Sequence, residues 1–458
     1  MSVYAGASRV DISPPKGTSM MGYFHERRSE GVHDPIFSNA LVLSDGNKKI
    51  AIVSVDLCAL QLPMTQKIRK IAERKTGIPK NNILIHCTHI HTGPTSVTRL
   101  FDRIPYEKEW TEQTFVKKVA ESIVLANSRL KEVRIGFGNG RENTIAFNRR
   151  YWLKEGIVRT NPGFLNPNII RPAGPIDPQV GVIKIEDLNG ELKALIVHYT
   201  CHSDTVGGNL ISAGYLGYTR KVIRDIVGEG VEIICLNGAC GDINHINVKK
   251  FPPAYRKRYF GQAKYMGTLL GAEALKVIEK IKMMDEDCKI GAMLKPLRIK
   301  HRKISNKDVG WAKRVLKANP EELEKICDEK TPIMGMRDDP LITKTYAKSI
   351  LRLSSLKNKW EDTEIQVIRI GKGVIVGVPC EFFVELGLEI KKKSPFKPWT
   401  FIAELANDWV GYVPTKKAFS EGGYETMLGS SSWAEQSAGD KMVKLSLGVL
   451  KELGGDNG

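Results

Sequence analysis

Six of the nine histidines fall in three places where an apolar run meets a turn, at positions 86/89/91, 198/202 and 245. The first is Ile83-Leu-Ile-His-Cys-Thr-His-Ile-His-Thr-Gly-Pro94, in which a buried-strand pattern ends at Gly93-Pro94. In extended backbone His89 and His91 point to one side with Ile90 opposite. Two such imidazoles can meet one ion, or one can ligate while the other faces a substrate. A polar loop with no metal gives the same pattern. The second place is Val197-His-Tyr-Thr-Cys-His202, again an apolar strand that runs into a glycine turn at Gly207-Gly208. The third, Ile233-Ile-Cys-Leu-Asn-Gly-Ala-Cys-Gly-Asp-Ile-Asn-His245, opens into glycines whose backbone N–H groups can receive an anion or oxyanion. A tight turn packed on a helix reads identically. Two acids, Asp56 and the Glu381 of Pro379-Cys-Glu381, also follow apolar runs, where a carboxylate either serves a site or caps the next element.

Side chains so placed need a sheet to deliver them. Strand patterns occur at 9–12, 39–43, 49–57, 83–85, 134–138, 179–185, 192–199, 363–369, 373–378 and 401–406. Helix patterns occur at 66–75, 115–130, 265–284, 308–327, 341–356, 382–391 and 440–453. The order 49–57, 66–75, 83–85 is a β-α-β unit and predicts parallel pairing. The expectation is α/β: mixed β-sheets flanked by helices in a single large domain over 1–458. The most polar stretch, about 290–360, is read as a helical excursion or lid.

Composition narrows the class. With 42% hydrophobic residues and no low-complexity tract, the chain is neither disordered nor fibrous. No run approaches the roughly 18 apolar residues of a membrane span, and the first residues lack the basic and apolar regions of a signal peptide. The expectation is a cytoplasmic protein with no integral membrane association. The eight cysteines, at 58, 87, 201, 235, 240, 288, 327 and 380, show no Cys-x-x-Cys pair and read as reduced thiols. Although the net charge is +18, cations alternate with acids along most of the predicted helices. The densest basic patch, Arg256-Lys-Arg258 among Tyr255, Tyr259 and Phe260, reads as a solvated helix start, because no nucleic-acid motif accompanies it.

Taken in order, Met21-Gly-Tyr23, Thr88-His-Ile-His-Thr-Gly-Pro94, Asn148-Arg149, His202 after its strand, Gly241-Asp242, Pro379-Cys-Glu381, Gly411-Tyr412 and Tyr424-Glu425 resemble the neutral (alkaline, non-lysosomal) ceramidase family. The resemblance implies a Zn²⁺ amidase of ceramidase-like catalytic domain. It implies that His89, His202, Glu381 and Tyr412 hold the zinc, and that His91, Arg149 and Tyr424 face a small-molecule substrate. Two departures qualify it. The family's Gly-Asp-x-Ser-Pro segment reads Gly241-Asp-Ile-Asn-His245, so Asn244 stands where ceramidases carry a serine nucleophile. Asparagine cannot be acylated, which leaves attack by water activated at the zinc; Asn244 then either walls the pocket or caps the turn. The second departure is length: the expectation is a catalytic domain without the immunoglobulin-like C-terminal domain or secretory signal of characterised ceramidases. A substrate other than membrane ceramide follows, and an anionic acyl compound suits the basic charge, with Arg149 as its contact. The alternatives are an esterase or lactonase at the same zinc, and a non-enzymatic metal- or ligand-binding protein. Oligomeric state is not legible.

Overall fold

Runs of Val, Ile and Leu without internal charge form strands buried on both faces, and these build the centre of the molecule. In the computed structural model, which describes residues 2–98, 105–257, 260–284, 288–330 and 339–454, Lys49–Val55 and Ile83–Cys87 pair in parallel across the helix Leu62–Thr76. That helix stops where Gly77 takes φ 72°, a left-handed cap that glycine adopts without Cβ strain. The two strands end an eight-stranded sheet whose order is Glu232–Asn237, Leu192–Tyr199, Gln179–Asp187, Lys131–Arg141, Val3–Asp11, Phe37–Ser44, Lys49–Val55, Ile83–Cys87. Only its two outermost pairs are parallel. A second sheet follows the order Ile290–Lys300, Trp360–Ile370, Gly373–Gly377, Thr400–Ala403.

The sheets face one another. Ile52, Leu84, Ile183, Ile196 and Ile234 of the first meet Ile368, Ile375 and Phe401 of the second in one buried cluster. The outer face of the first sheet is covered by Leu62–Thr76 and Val116–Ser128 at one end and by Gly214–Val227 and Gly261–Ile278 at the other. Val384–Lys393 and Ala438–Gly454 cover the outer face of the second. The architecture is therefore α/β with mixed sheets, layered helix, sheet, sheet, helix. Truncating a fully buried residue between the sheets, such as Ile375, costs about 2–5 kcal/mol through lost transfer energy and the cavity left behind.

Three expectations change in detail. The polar stretch near 290–360 begins and ends with strands; its helices are Asn306–Lys317, Pro320–Lys330 and Pro340–Ser355. The helix expected over 308–327 is two helices, because Pro320 has no N–H for a continuing ladder and Ala318 before it is extended. Gly214–Val227 is a helix that the pattern did not announce. Seven of the cysteines are free and buried, while the side chain of Cys327, like Arg258 and Tyr259 of the basic patch, lies outside the described residues.

Although Ile83–Cys87 and Glu232–Asn237 are opposite edges of the first sheet, they come together. Ser54 Oγ donates to the Cys235 carbonyl at 2.7 Å, and the Asn237 N–H donates to His86 Nε2 at 2.9 Å. His86 Nδ1 in turn lies 2.6 Å from the Glu404 carbonyl. The sheet thus coils until its two parallel edges sit side by side, with Glu404–Asn407 wedged between them. Its carboxyl-end loops, which carry His89 and His202, are brought face to face.

Candidate metal centre

His89 does not sit where simple pleat alternation would put it. The strand ends at Cys87, and His89 adopts φ 65°, sparsely populated for a residue with a Cβ. The surrounding bonds over-determine that strained backbone. Thr88 and His89 donate their N–H groups to the carbonyls of Val55 and Leu57, both at 2.9 Å. Thr88 Oγ1 also donates to Asp56, 3.1 Å away, whose other oxygen binds Arg220 at 2.6 Å. Asp56 is therefore a fastening for the loop. The turn directs His89 Nδ1 to the Cys58 carbonyl at 2.8 Å, which fixes the N–H there and leaves Nε2 as a lone pair.

That nitrogen meets the Nε2 of His202. His89 Nε2 and His202 Nε2 are 2.9 Å apart, and Glu381 Oε2 is 3.4 Å from His89 Nε2. The ligand atoms of His89, His202 and Glu381 all lie within 4.8 Å of one another, and all three residues are buried. Glu381 Oε1 accepts from Trp409 Nε1 at 3.1 Å, whereas buried Oε2 has no hydrogen-bond donor. Burial, together with His89 and Arg149, lowers the His202 pKa well below the ordinary value. Burial also opposes charge on His89, but Cys58 and Glu381 raise its pKa well above the ordinary value. Burial likewise works against ionising Glu381, yet His89 and the hydroxyl of Tyr412 hold its carboxyl at about 2. Two imidazole nitrogens 2.9 Å apart beside a buried carboxylate oxygen need a proton or a cation among them, and this nitrogen and oxygen set fits a divalent ion such as zinc. In a second possible group, Cys58, His89 and His91, Cys58 Sγ lies 3.7 Å from His89 Nδ1, the nitrogen already bonded to the Cys58 carbonyl.

Tyr412 is held beside Glu381 by a short parallel bridge, Glu381 and Phe382 against Tyr412 and Val413. The guanidinium carbon of Arg149 lies 5.4 Å from the Tyr412 ring centroid. Arg149 is itself anchored: Nε binds Glu425 at 2.7 Å and Nη2 the Gly241 carbonyl at 2.8 Å. Its charge is paired with Glu425 and turned toward Tyr412, and the contact with an anionic substrate stays an expectation. The Tyr424 ring lies 5.5 Å from that of Tyr412 and packs on Phe24, which also touches Tyr346 of the helix Pro340–Ser355. The polar excursion therefore reaches the site through Tyr346.

The His91 ring stands 5.0 Å from His89 and 5.1 Å from His202, edge-on to the former, with neither nitrogen hydrogen-bonded. Burial pushes its pKa down to about 4, against the pull of Asp204, whose Oδ1 is 3.7 Å from Nδ1. Tyr23 donates to the same Asp204 oxygen at 2.6 Å, and Arg27 donates to the His91 carbonyl at 2.5 Å. Gly22, at φ 116°, lies flat against His91: a Cβ there would sit 2.6 Å from the imidazole. The sequence reading missed Asp204 and Arg27; Met21-Gly-Tyr23 was the available signal. Asn244 is engaged at both ends of its amide, by Asn161 at 2.9 Å and by the N–H of Ile246 at 3.0 Å, which makes it a turn cap. His86 and His198 belong to the core, the former tying the sheet edges together and the latter packed 5.5 Å from Phe401.

With this geometry in hand, comparison with known proteins is informative. The profile of the neutral/alkaline non-lysosomal ceramidase N-terminal domain matches residues 4–229. That match supports membership of the neutral ceramidase family through its N-terminal domain. It is 27% identical over 226 residues to the neutral ceramidase of Pseudomonas aeruginosa, a match spanning 46% of this chain and 32% of that protein. It is 26% identical over 231 residues to neutral ceramidase A of Dictyostelium discoideum, spanning 47% of this chain and 31% of the relative. The fold likeness extends further. The crystal structure of the Pseudomonas neutral ceramidase superposes with a TM-score of 0.75 at 20% identity, covering 99% of this chain and 74% of that one. Of the site residues, His89, His91, Arg149 and His202 lie within the matched ceramidase domain, and Asn244, Glu381, Tyr412 and Tyr424 lie beyond it. No described helix is long and apolar enough to cross a membrane.

Proposed function

We propose that this protein is a zinc-dependent hydrolase that cleaves the amide bond of an N-acyl compound, with His89, His202, Glu381 and Tyr412 as the ligands. The observation that carries the reading is the approach of His89 Nε2 and His202 Nε2 to 2.9 Å beside the buried Oε2 of Glu381, which no hydrogen bond satisfies. Bound there, zinc supplies a Lewis acid that lowers the pKa of a water molecule and polarises a carbonyl. The chain's own groups do the rest. His91, neutral and free at both nitrogens, takes a proton from the attacking water and returns it to the leaving nitrogen. Asp204 orients its Nδ1 edge. Tyr424, whose pKa is pushed up by burial and by Glu381, stays protonated and donates to the developing oxyanion. Arg149 balances negative charge at Tyr412.

With Asn244 occupied as a turn cap, no serine-like nucleophile stands on the segment 241–245, so water attacks directly and no acyl-enzyme accumulates. The test is a screen of purified, zinc-loaded protein against N-acyl amines, N-acyl amino acids, esters and lactones, with intact-mass analysis during turnover. Hydrolysis of an amide that is lost in His91→Ala, with no mass adduct, supports the reading. Preference for esters or lactones would reassign the bond, and a trapped adduct would overturn the direct route.

A further inference from the structure

A cavity of about 350 Å³ opens beside the segment 241–245, between Phe147, the loop at Phe164 and residues 245–257. Its inner wall is part of the ribbon that carries the candidate site: Phe147 pairs with Asn244, and the Ile243 carbonyl accepts the N–H of His202 at 3.2 Å. The body of the cavity is aromatic. Phe164 and Phe251 pack with centroids 5.2 Å apart, Tyr265 forms another side, and Phe251 is 56% exposed. Among the described residues the charge is all of one sign, for Lys250, Arg256 and Lys257 line the cavity and no Asp or Glu does. Arg256 is held flat on Tyr265, its guanidinium carbon 3.2 Å from the ring centroid, and Lys257 Nζ stands 5.3 Å from that of Phe251. Among the described residues none of the three cations has a carboxylate partner.

Three cations line one apolar hollow without a carboxylate among its walls, and a bound anion would find charge-assisted donors there. The aromatic walls add apolar burial, and cavities of this size are at the lower end of those that enclose small ligands. A free inorganic anion would leave the walls wet, and a neutral apolar molecule would leave the cations unpaired. The ligand that uses both is a carboxylate on one aliphatic chain or one aromatic ring.

We propose that this cavity binds a single-chain or single-ring organic carboxylate, its head on Lys250, Arg256 and Lys257 and its apolar body against Phe164, Phe251 and Tyr265. The inference stands apart from the hydrolase reading, since binding is measured without turnover. The probe is decanoate, titrated calorimetrically into the full chain, with decylammonium as the control of equal chain and opposite charge. Decanoate is expected to occupy one site per chain and to bind at least about tenfold more tightly than decylammonium, with affinity falling as salt rises. The double variant Lys250→Glu/Lys257→Glu, at exposed positions that leave the core untouched, should lose about tenfold or more for decanoate and reverse the preference. His202→Ala should bind decanoate as the parent does, so the hydrolase reading can fail while this one holds. Equal affinity for the two probes, or a double variant that is folded by circular dichroism and binds decanoate unchanged, would overturn the assignment.

Discussion

Gly22→Ala is the most specific perturbation the geometry offers. The glycine sits at φ 116°, outside the region open to residues with a side chain, and its ideal Cβ lies 2.6 Å from both Cβ and Cγ of His91. Carbon atoms at rest stand about 3.5–4.0 Å apart, so the alanine methyl and the imidazole must separate by roughly 1 Å. The backbone strain adds about 1–3 kcal/mol. Arg27 holds the His91 carbonyl and Met21 carbonyl at 2.5 and 2.8 Å, so the ring moves more readily than the loop. A displacement of about 1 Å in a proton-transferring group is expected to lower kcat by roughly 10²-fold. The three atoms nearest a Cβ at Gly22 all belong to His91 and none to His89, His202 or Glu381, so metal content should stay at the parental level. The assay combines kcat on an amide substrate, zinc by plasma mass spectrometry and the midpoint of thermal unfolding. Parental kcat in a folded, metal-loaded Gly22→Ala protein would show that His91 is not held by this contact, or that it takes no part in the reaction.

Other consequences are equally concrete. Tyr424→Phe should lower kcat by roughly 10²–10³-fold with metal retained if its hydroxyl meets the oxyanion; unchanged turnover would make it a packing residue. Asp56→Ala strands the buried Arg220 and should cost about 3–5 kcal/mol in chemical denaturation, whereas a loss under 1 kcal/mol would mean that the pair is solvated. Burial lowers the His86 pKa from 6.5 to about 4, so the fold binds its proton less tightly than the unfolded chain does. That contribution is complete above pH 6.5 and is lost as pH falls toward 4, about 3 kcal/mol in all. Denaturation midpoints from pH 8 to 4 should show the decline, and a His86→Gln variant should show less of it.

The strand ends and the order of elements could be read from the sequence because apolar runs broken by glycine and proline leave little freedom. Leu192–Tyr199 and the parallel pair flanking Leu62–Thr76 are instances. The convergence of His89 with His202 could not be read, since it depends on the sheet coiling until its two edges meet through His86, Asn237 and Glu404. Nor could the positive φ of His89, which replaces pleat alternation as the reason its ring faces His202. Gly214–Val227 was hidden because Gly214 and Gly217 depress helix propensity. Packing against Gly261–Ile278 restores it, at Gly267, where a Cβ would come within 2.4 Å of Tyr218. Ile290–Lys300 was hidden by Pro296, tolerated because this strand is the edge of its sheet. Asp204 gave no signal of its own; it matters only because Tyr23 and His91 fold onto it.

Crystallography with anomalous diffraction collected on either side of the zinc edge addresses the central claim directly. One peak per chain is expected, about 2.0–2.2 Å from His89 Nε2, His202 Nε2, Glu381 Oε2 and the Tyr412 hydroxyl oxygen. A peak elsewhere, or a zinc-supplemented crystal with none and a proton shared between the two histidines, would contradict it.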